Sequence, residues 1–228
     1  MNTLSASVRS QLQRAISQYE GNGKSVSFLM MDMTTGSGIS YNIDRQYYSA
    51  STIKGPYVAA VNMYSPWLLQ SWSSTMYSTI DYSSNEAYAY LRHSIGDAAL
   101  NKLIKETNAT GFDARSDYVW YSSRDLAKLW VGMGDYLVSN RTNAGWCRSV
   151  FGNNSYITSR SALSWKNYPV YAKSGWVDGG ITVHNEGCIV MDGNNPYLMV
   201  VMSTQSGSQP SYMSSLMSAL DRTHGELI

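Results

Sequence analysis

Ser51-Thr52-Ile53-Lys54 sets a serine hydroxyl and a lysine amine three residues apart, which in a helix puts both on one face. A neutral lysine there can take the serine's proton and leave a nucleophile approaching an alkoxide. Upstream, Ser25 to Met33 reads as a strand and Gly36 and Gly38 as a turn; downstream, an apolar run through Val58 to Val61 reads as a helix that Ser51 would open. A helix N-terminus supplies unpaired N–H groups and the positive end of the dipole, both suited to a developing oxyanion. The chain has 35 serines and 7 lysines, so chance alone supplies about one Ser-x-x-Lys. Only Lys54 has a serine three residues before it, which makes the candidate unambiguous but leaves its support to the rest of the chain.

Working outward, 228 residues can bury one substantial core, as a single domain built of two tightly packed lobes. The hydrophobic share of 43% fits a packed globule, whereas a charged share of only 14%, with serine, tyrosine and asparagine on the surface instead, points to an exported protein, extracellular or in the cell envelope. A net charge of +1 without a basic stripe argues against nucleic acid as a partner. No run of sequence is long and apolar enough to span a bilayer, and the N-terminus lacks a charged-then-apolar leader, so an exported chain would already have lost its signal. Cys147 and Cys188 allow either one disulfide or two buried thiols. His93, His184 and His224 are too scattered for a zinc cluster, so a mechanism without metal or cofactor is expected, in a monomer.

In chain order, Leu4 to Tyr19 is an amphipathic helix stopped at Glu20-Gly21. The strands Ser25 to Met33 and Gly38 to Asn42 form a hairpin, and the Ser51 helix runs to about Pro66. Helical patterns then cover Met76 to Ile95, Asp97 to Glu106, a segment opened by the capping signature Ser122-Ser-Arg-Asp125, and Asn143 to Phe151; Ser71 to Ser74 is a further candidate cap. Thr107 to Tyr121 has no period and reads as an irregular loop. Strand-like sequence returns at Tyr168 to Lys173, Gly180 to His184, Glu186 to Asp192 and Tyr197 to Ser203, and Tyr212 to Arg222 closes as a helix. Strands from the two ends of the chain are most economically joined in one sheet. The expected fold is therefore α+β: a five-stranded antiparallel sheet flanked by helices, formed by 1–58 and 160–228, with an abbreviated all-helical lobe over 59–159.

A nucleophile and its base also need a proton relay to the leaving group and donors to hold the substrate. Ser83-Ser84-Asn85 lies in the helical middle and Lys173-Ser174-Gly175 on a returning strand. The ordered trio Ser-x-x-Lys, Ser-x-Asn, Lys-Ser-Gly resembles the serine β-lactamase and penicillin-binding protein superfamily, nearest its class A branch. Ser-x-Asn recurs at Ser40 to Asn42, so order and placement carry the resemblance, together with Arg160-Ser-Ala-Leu163 ahead of the Lys173 strand.

The resemblance implies that Ser51 is the acylated nucleophile, Lys54 its base, and Ser83 the relay to the leaving atom. It implies that Lys173 sets the electrostatics around Ser83 and helps receive a substrate carboxylate. Asn85, Ser174, Gly175 and Trp176 are the implied substrate-binding residues: Asn85 bonds the substrate's side-chain amide and Lys54, and Ser174 offers a hydroxyl to the carboxylate. The N–H groups of Ser51 and Trp176 form the oxyanion hole. Three departures qualify this. Ser84 replaces the usual aspartate between Ser83 and Asn85, Trp176 is bulky, and the segment from Thr107 to Tyr121 lacks the glutamate that activates the deacylating water in class A enzymes, holding only Asp113 and Asp117 as acids. The implied activity is hydrolysis through an acyl-enzyme of a β-lactam or related amide or ester, with slow deacylation. A D-alanyl peptidase or esterase acting on a peptidoglycan-type substrate, and a binding module that keeps the fold without turnover, are the alternatives.

Overall fold

The computed structural model describes residues 4–228. Helix α1 (Ala6–Glu20) is capped by Ser5, whose hydroxyl accepts from Val8 N. Strands β1 (Val26–Asp32) and β2 (Gly38–Tyr41) follow as the expected hairpin. The late part of the chain contributes β5 (Val170–Val177), β6 (Val183–Val190) and β7 (Tyr197–Ser203) before the long closing helix α9 (Ser211–Leu227). These five strands form one antiparallel sheet in the order β2-β1-β7-β6-β5, in which β1 from the start of the chain pairs along its whole length with β7. The fold is mixed α/β, as expected.

Continuous apolar sequence in β6 and β7 goes with burial on both faces. On one face, Phe28, Met30, Val190, Met199 and Val201 pack with Tyr19, Leu216 and Leu220 of α1 and α9. On the other, Ile189, Leu198, Val200 and Met202 join the larger core made by the middle helices. Those helices are α2 (Lys54–Tyr64), α3 (Leu69–Ile80), α4 (Asn85–Ile95), α5 (Ala98–Thr107), α6 (Ser123–Leu137), α7 (Ala144–Asn153) and the short α8 (Thr158–Ala162). Helix α2 is buried nearly all round, which explains its lack of a polar stripe. Helix α6 carries the predicted capping box, Ser122 and Asp125 bonding reciprocally, worth about 1 kcal/mol. It packs against β1, β6 and β7 as well as α2, so the helical middle lies directly on the sheet.

Several sequence expectations are corrected. The helix read over Met76 to Ile95 is two helices, broken at Asp81 to Ser84 because Ser83 takes a left-handed φ of 55° and Ser84 caps α4 through Ala87 N. Ser71 to Ser74 lies inside α3 and caps nothing. Gly180 to His184 and Glu186 to Asp192 are one strand, β6. A two-stranded ribbon, β3 (Gln46–Tyr48) with β4 (Trp120–Ser122), and helix α8 were not anticipated. The two cysteines are free buried thiols on opposite faces of the sheet, Cys147 among the helices and Cys188 toward α1 and α9. Among the described residues no helix is long and apolar enough to cross a membrane.

Candidate active site

The nucleophile candidate sits in a 3-10 turn, Ala50–Ile53, that leads directly into α2. Two structures pin this turn. From one side the ribbon holds it: Ser49 exchanges bonds with Val119, and the Thr52 and Tyr121 hydroxyls meet at 2.5 Å. From the other side β5 approaches so closely that a Cβ on Gly175 would overlap Ser51 N and Thr52 N, which only glycine permits. Ser51 and the Gly175-Trp176 strand are thereby juxtaposed.

Lys54, the first residue of α2, is fully buried, and its Nζ donates to Ser83 O at 2.6 Å and Asn85 Oδ1 at 2.7 Å. Burial pushes its pKa down to about 8, against the opposing pull of Glu86. The rings of Tyr88 and Tyr118 each lie 5.8 Å from the ammonium, and Tyr118 Oη donates to the same Asn85 Oδ1 at 2.7 Å. With both bonds on Oδ1, the Asn85 amide nitrogen is left for a ligand in the cleft that Asn85 lines.

Lys173 on β5 is also fully buried and donates to Ser83 Oγ at 3.0 Å and Ser174 O at 2.9 Å. Burial first, and then the charge of Lys54, push its pKa down to about 7. The left-handed backbone of Ser83 accordingly offers its carbonyl to one lysine and its hydroxyl to the other. Among the described residues six non-glycines have positive φ; four are asparagines, which tolerate that region, and the others are Ala50 and Ser83. Backbone strain is thus concentrated beside Ser51 and at the proposed relay.

Ser51, Ser83, Asn85 and Trp176 line one cleft of about 300 Å³, completed by Tyr82 and Tyr156. Ser174 does not face it as expected. Its hydroxyl donates to Glu186 Oε2 at 2.6 Å, because alternate residues of β5 point to opposite faces and Glu186 is its cross-strand partner. Glu186, itself fully buried, accepts from Thr158 N and Ser159 N and so satisfies the first turn of α8.

The loop between α5 and β4 turns its acids outward. Asp113 is paired with Arg115 at the surface, and Asp117 lies 3.8 Å from Arg92. Among the described residues no three His, Cys, Asp or Glu side chains are grouped to hold a metal ion. Sequence reasoning missed Tyr82, Tyr118 and Tyr156. Tyr82 and its neighbour Ser83 had a usable signal in the Asp81-Tyr-Ser-Ser break, whereas Tyr118 and Tyr156 are single aromatics in aperiodic segments.

A family model described as the β-lactamase enzyme family matches residues 7–64 and 68–220 of this chain. The structure of the β-lactamase from Sphaerobacter thermophilus DSM 20745 superposes with a TM-score of 0.78 at 16% identity, covering 95% of this chain and 97% of that one. An ancestral class A β-lactamase gives 0.76 at 15% identity over 95% and 99%. The β-lactamase from Streptosporangium roseum gives 0.76 at 14% over 98% and 100%. At these identities the likeness is one of fold. No curated protein sequence matches the chain.

Proposed function

The chain belongs to the β-lactamase enzyme family, and from that premise we propose that it is a serine hydrolase working through an acyl-enzyme on Ser51, with a β-lactam or a related amide or ester as acyl donor. The observation that carries this reading is the meeting of Lys54 and Lys173 on Ser83 at the edge of the cleft that Ser51 lines. Lys54, with its pKa near 8, has a neutral fraction of about a tenth at pH 7 and serves as the base for Ser51. Ser83, whose hydroxyl is held by Lys173, passes the proton on to the leaving atom. The N–H groups of Ser51 and Trp176 stabilise the oxyanion, and the close seat of Gly175 on the nucleophile turn supports that pairing. Asp113 is paired with Arg115 at the surface and Asp117 lies 3.8 Å from Arg92, and neither lines the cleft, so neither carboxylate of this loop is placed to activate water and the acyl-enzyme is long-lived. Extracellular or cell-envelope placement accords with the low charge content.

The test is intact-mass measurement after exposure to a fluorescent penicillin and, separately, to a fluorophosphonate, with peptide mapping. One adduct on Ser51, lost in Ser51→Ala, is expected. Labelling of another serine, or equal labelling of Ser51→Ala, refutes the reading.

A further inference from the structure

The walls of the cleft say what kind of acyl donor it takes. Three of its six lining side chains, Tyr82, Tyr156 and Trp176, are aromatic, and the others are Ser51, Ser83 and Asn85; none is a cation. The aromatics are open to solvent, at 63%, 49% and 40% respectively, although large apolar side chains on a folded surface are normally scattered singly. Trp176 is nevertheless held in place. The Gly207 backbone presses on its ring so closely that a Cβ there would overlap the indole, and His184 packs edge-on at 6.2 Å. Tyr156 leans on it at 5.9 Å with the planes 60° apart, too close for a third ring to intercalate, so the pair presents a single apolar wall. Rings fixed in this way bind without a further entropy cost.

Charge points the same way. Among the described residues, Lys54 and Lys173 are the lysines bonded to a cleft-lining side chain, and both are fully buried, each with two of its three N–H donors already taken by Ser83, Ser174 or Asn85. His184, behind Trp176, is held neutral by burial. Arg160 spends its guanidinium on the Gly152 and Asn154 carbonyls. The exposed charged residues within two positions of the cleft residues in sequence, Glu86 and Asp178, are acids. The hydroxyl of Ser174, which would assist a bound carboxylate, is turned to Glu186. The volume fits as well, because about 300 Å³ is at the small end for ligand sites and accommodates a phenyl-sized group.

We propose that the Tyr156–Trp176 wall makes this a site for compact, uncharged aryl-substituted acyl donors, and that substrates bearing a carboxylate gain nothing from Lys173. This rests on the acyl-enzyme reading above. The carbonyl sits over Ser51, the aryl group of the acyl moiety packs on Trp176 and Tyr156, and the leaving group departs toward Ser83. In the reaction, the bond from Ser51 Oγ to the acyl carbon forms, the bond to the leaving sulfur or oxygen breaks, and the serine proton leaves on that atom.

Second-order acylation rates of four thioesters test it: the phenylacetyl and acetyl thioesters of one neutral thiol, and phenylacetyl thioglycolate with its methyl ester. In the unmodified protein the phenylacetyl thioester should outpace the acetyl one by about 5- to 10-fold, falling to about twofold or less in Tyr156→Ala and Trp176→Ala. Tyr156 lies at the surface, so its variant reports on the wall even if Trp176→Ala does not fold. The methyl ester should react at least as fast as the acid. An acid preferred by about tenfold or more, the size of one charge-assisted hydrogen bond, overturns the proposal, as does an aryl preference that survives both substitutions. A small neutral fluorophosphonate separates the two readings. If it labels Ser51 while the thioesters show no aryl preference, the specificity is wrong and the acyl-enzyme stands; if no probe labels Ser51, both fall.

Discussion

Lys54 bonds Ser83 through the backbone: its ammonium donates to the Ser83 carbonyl at 2.6 Å, while the Ser83 hydroxyl is taken by Lys173 at 3.0 Å. The Ser83 hydroxyl is therefore held by Lys173 and its carbonyl by Lys54, and the two charges oppose each other. Lys54 also donates to Asn85 and keeps one further N–H position, which the proposed mechanism uses as the lone pair that takes the Ser51 proton.

This arrangement sets the pH dependence of acylation. Because the reactive form of Lys54 is the neutral amine and its pKa is about 8, the acylation rate should climb about tenfold per unit below pH 8 and level off above it. Stability should change in parallel. Both lysines fall from the ordinary 10.5, Lys54 to about 8 and Lys173 to about 7, so between roughly pH 7 and 10.5 these two groups hold more protons in the unfolded chain and their contribution to stability rises with pH, opposed above about pH 9 by the buried thiols, which are pushed up from 9.0. Stopped-flow labelling across pH 6–10 and urea midpoints over the same range measure the two effects; a flat acylation profile would remove Lys54 from the role of base.

Replacing Lys54 by methionine should lower acylation by about 10²- to 10⁴-fold, the usual worth of general-base help, while leaving the fold intact because the side chain is already buried. Near-normal labelling of this variant by a fluorophosphonate would contradict the assignment. Lys173→Ala should slow neutral and anionic acyl donors to the same extent if, as proposed, its ammonium serves Ser83 rather than a substrate carboxylate.

Gly175→Ala should displace the nucleophile turn. The new methyl group meets the backbone of Ser51 and Thr52, which cannot rotate away, so overpacking of about 1–3 kcal/mol is expected with a lower melting temperature and a larger loss of Ser51 labelling. Unchanged labelling kinetics would mean that β5 does not set the position of the nucleophile.

An adduct formed with a chromogenic cephalosporin should persist, giving a burst of about one equivalent followed by slow release. Asp113→Asn and Asp117→Asn should leave the release rate unaltered, because neither carboxylate lines the cleft: Asp113 is paired with Arg115 and Asp117 lies beside the buried Arg92. A marked slowing in either variant would identify it as the water-activating base.

Cys147 and Cys188 should remain unreactive to a thiol reagent in the folded protein and react together on unfolding. Burial pushes both thiols up, Cys147 to about 12, and the sheet lies between them. A melting temperature that shifts with reductant would argue instead for a disulfide.

Much of this was legible in the sequence, and the reasons differ from element to element. The β1–β2 hairpin, α1, α9 and the Ser122–Asp125 box were readable because local chemistry alone decides them. The Ser51, Lys54, Ser83 and Lys173 set can be named from motif order; in the structure Ser51 and Ser83 line one cleft, and Lys54 and Lys173 are bonded to Ser83. The break at Ser83 reads as continuous helix in the sequence although Ser84 is a cap residue, and the left-handed Ser83 is met there by Lys54 and Lys173 from distant elements. The inward turn of Ser174 depends on Glu186, a cross-strand neighbour twelve residues on that no local pattern pairs with it. The aromatic wall joins Tyr156 of a loop to Trp176 of a strand, a contact made only by tertiary packing.

The pairing of β1 with β7 has a temporal meaning. Ser51 leaves the ribosome long before Lys173, and β5 reaches the nucleophile turn only in a sheet whose link to β1 runs through β6 and β7. At synthesis rates of about 5–20 residues per second, roughly 8 to 30 seconds separate the emergence of Ser51 from that of the end of β7. On the acyl-enzyme reading, the serine is throughout that interval an ordinary hydroxyl with no cradle for an oxyanion, and a passing acyl donor cannot trap the nascent chain. On that reading reactivity arrives only with the last strands, and the topology acts as a safety catch during biogenesis.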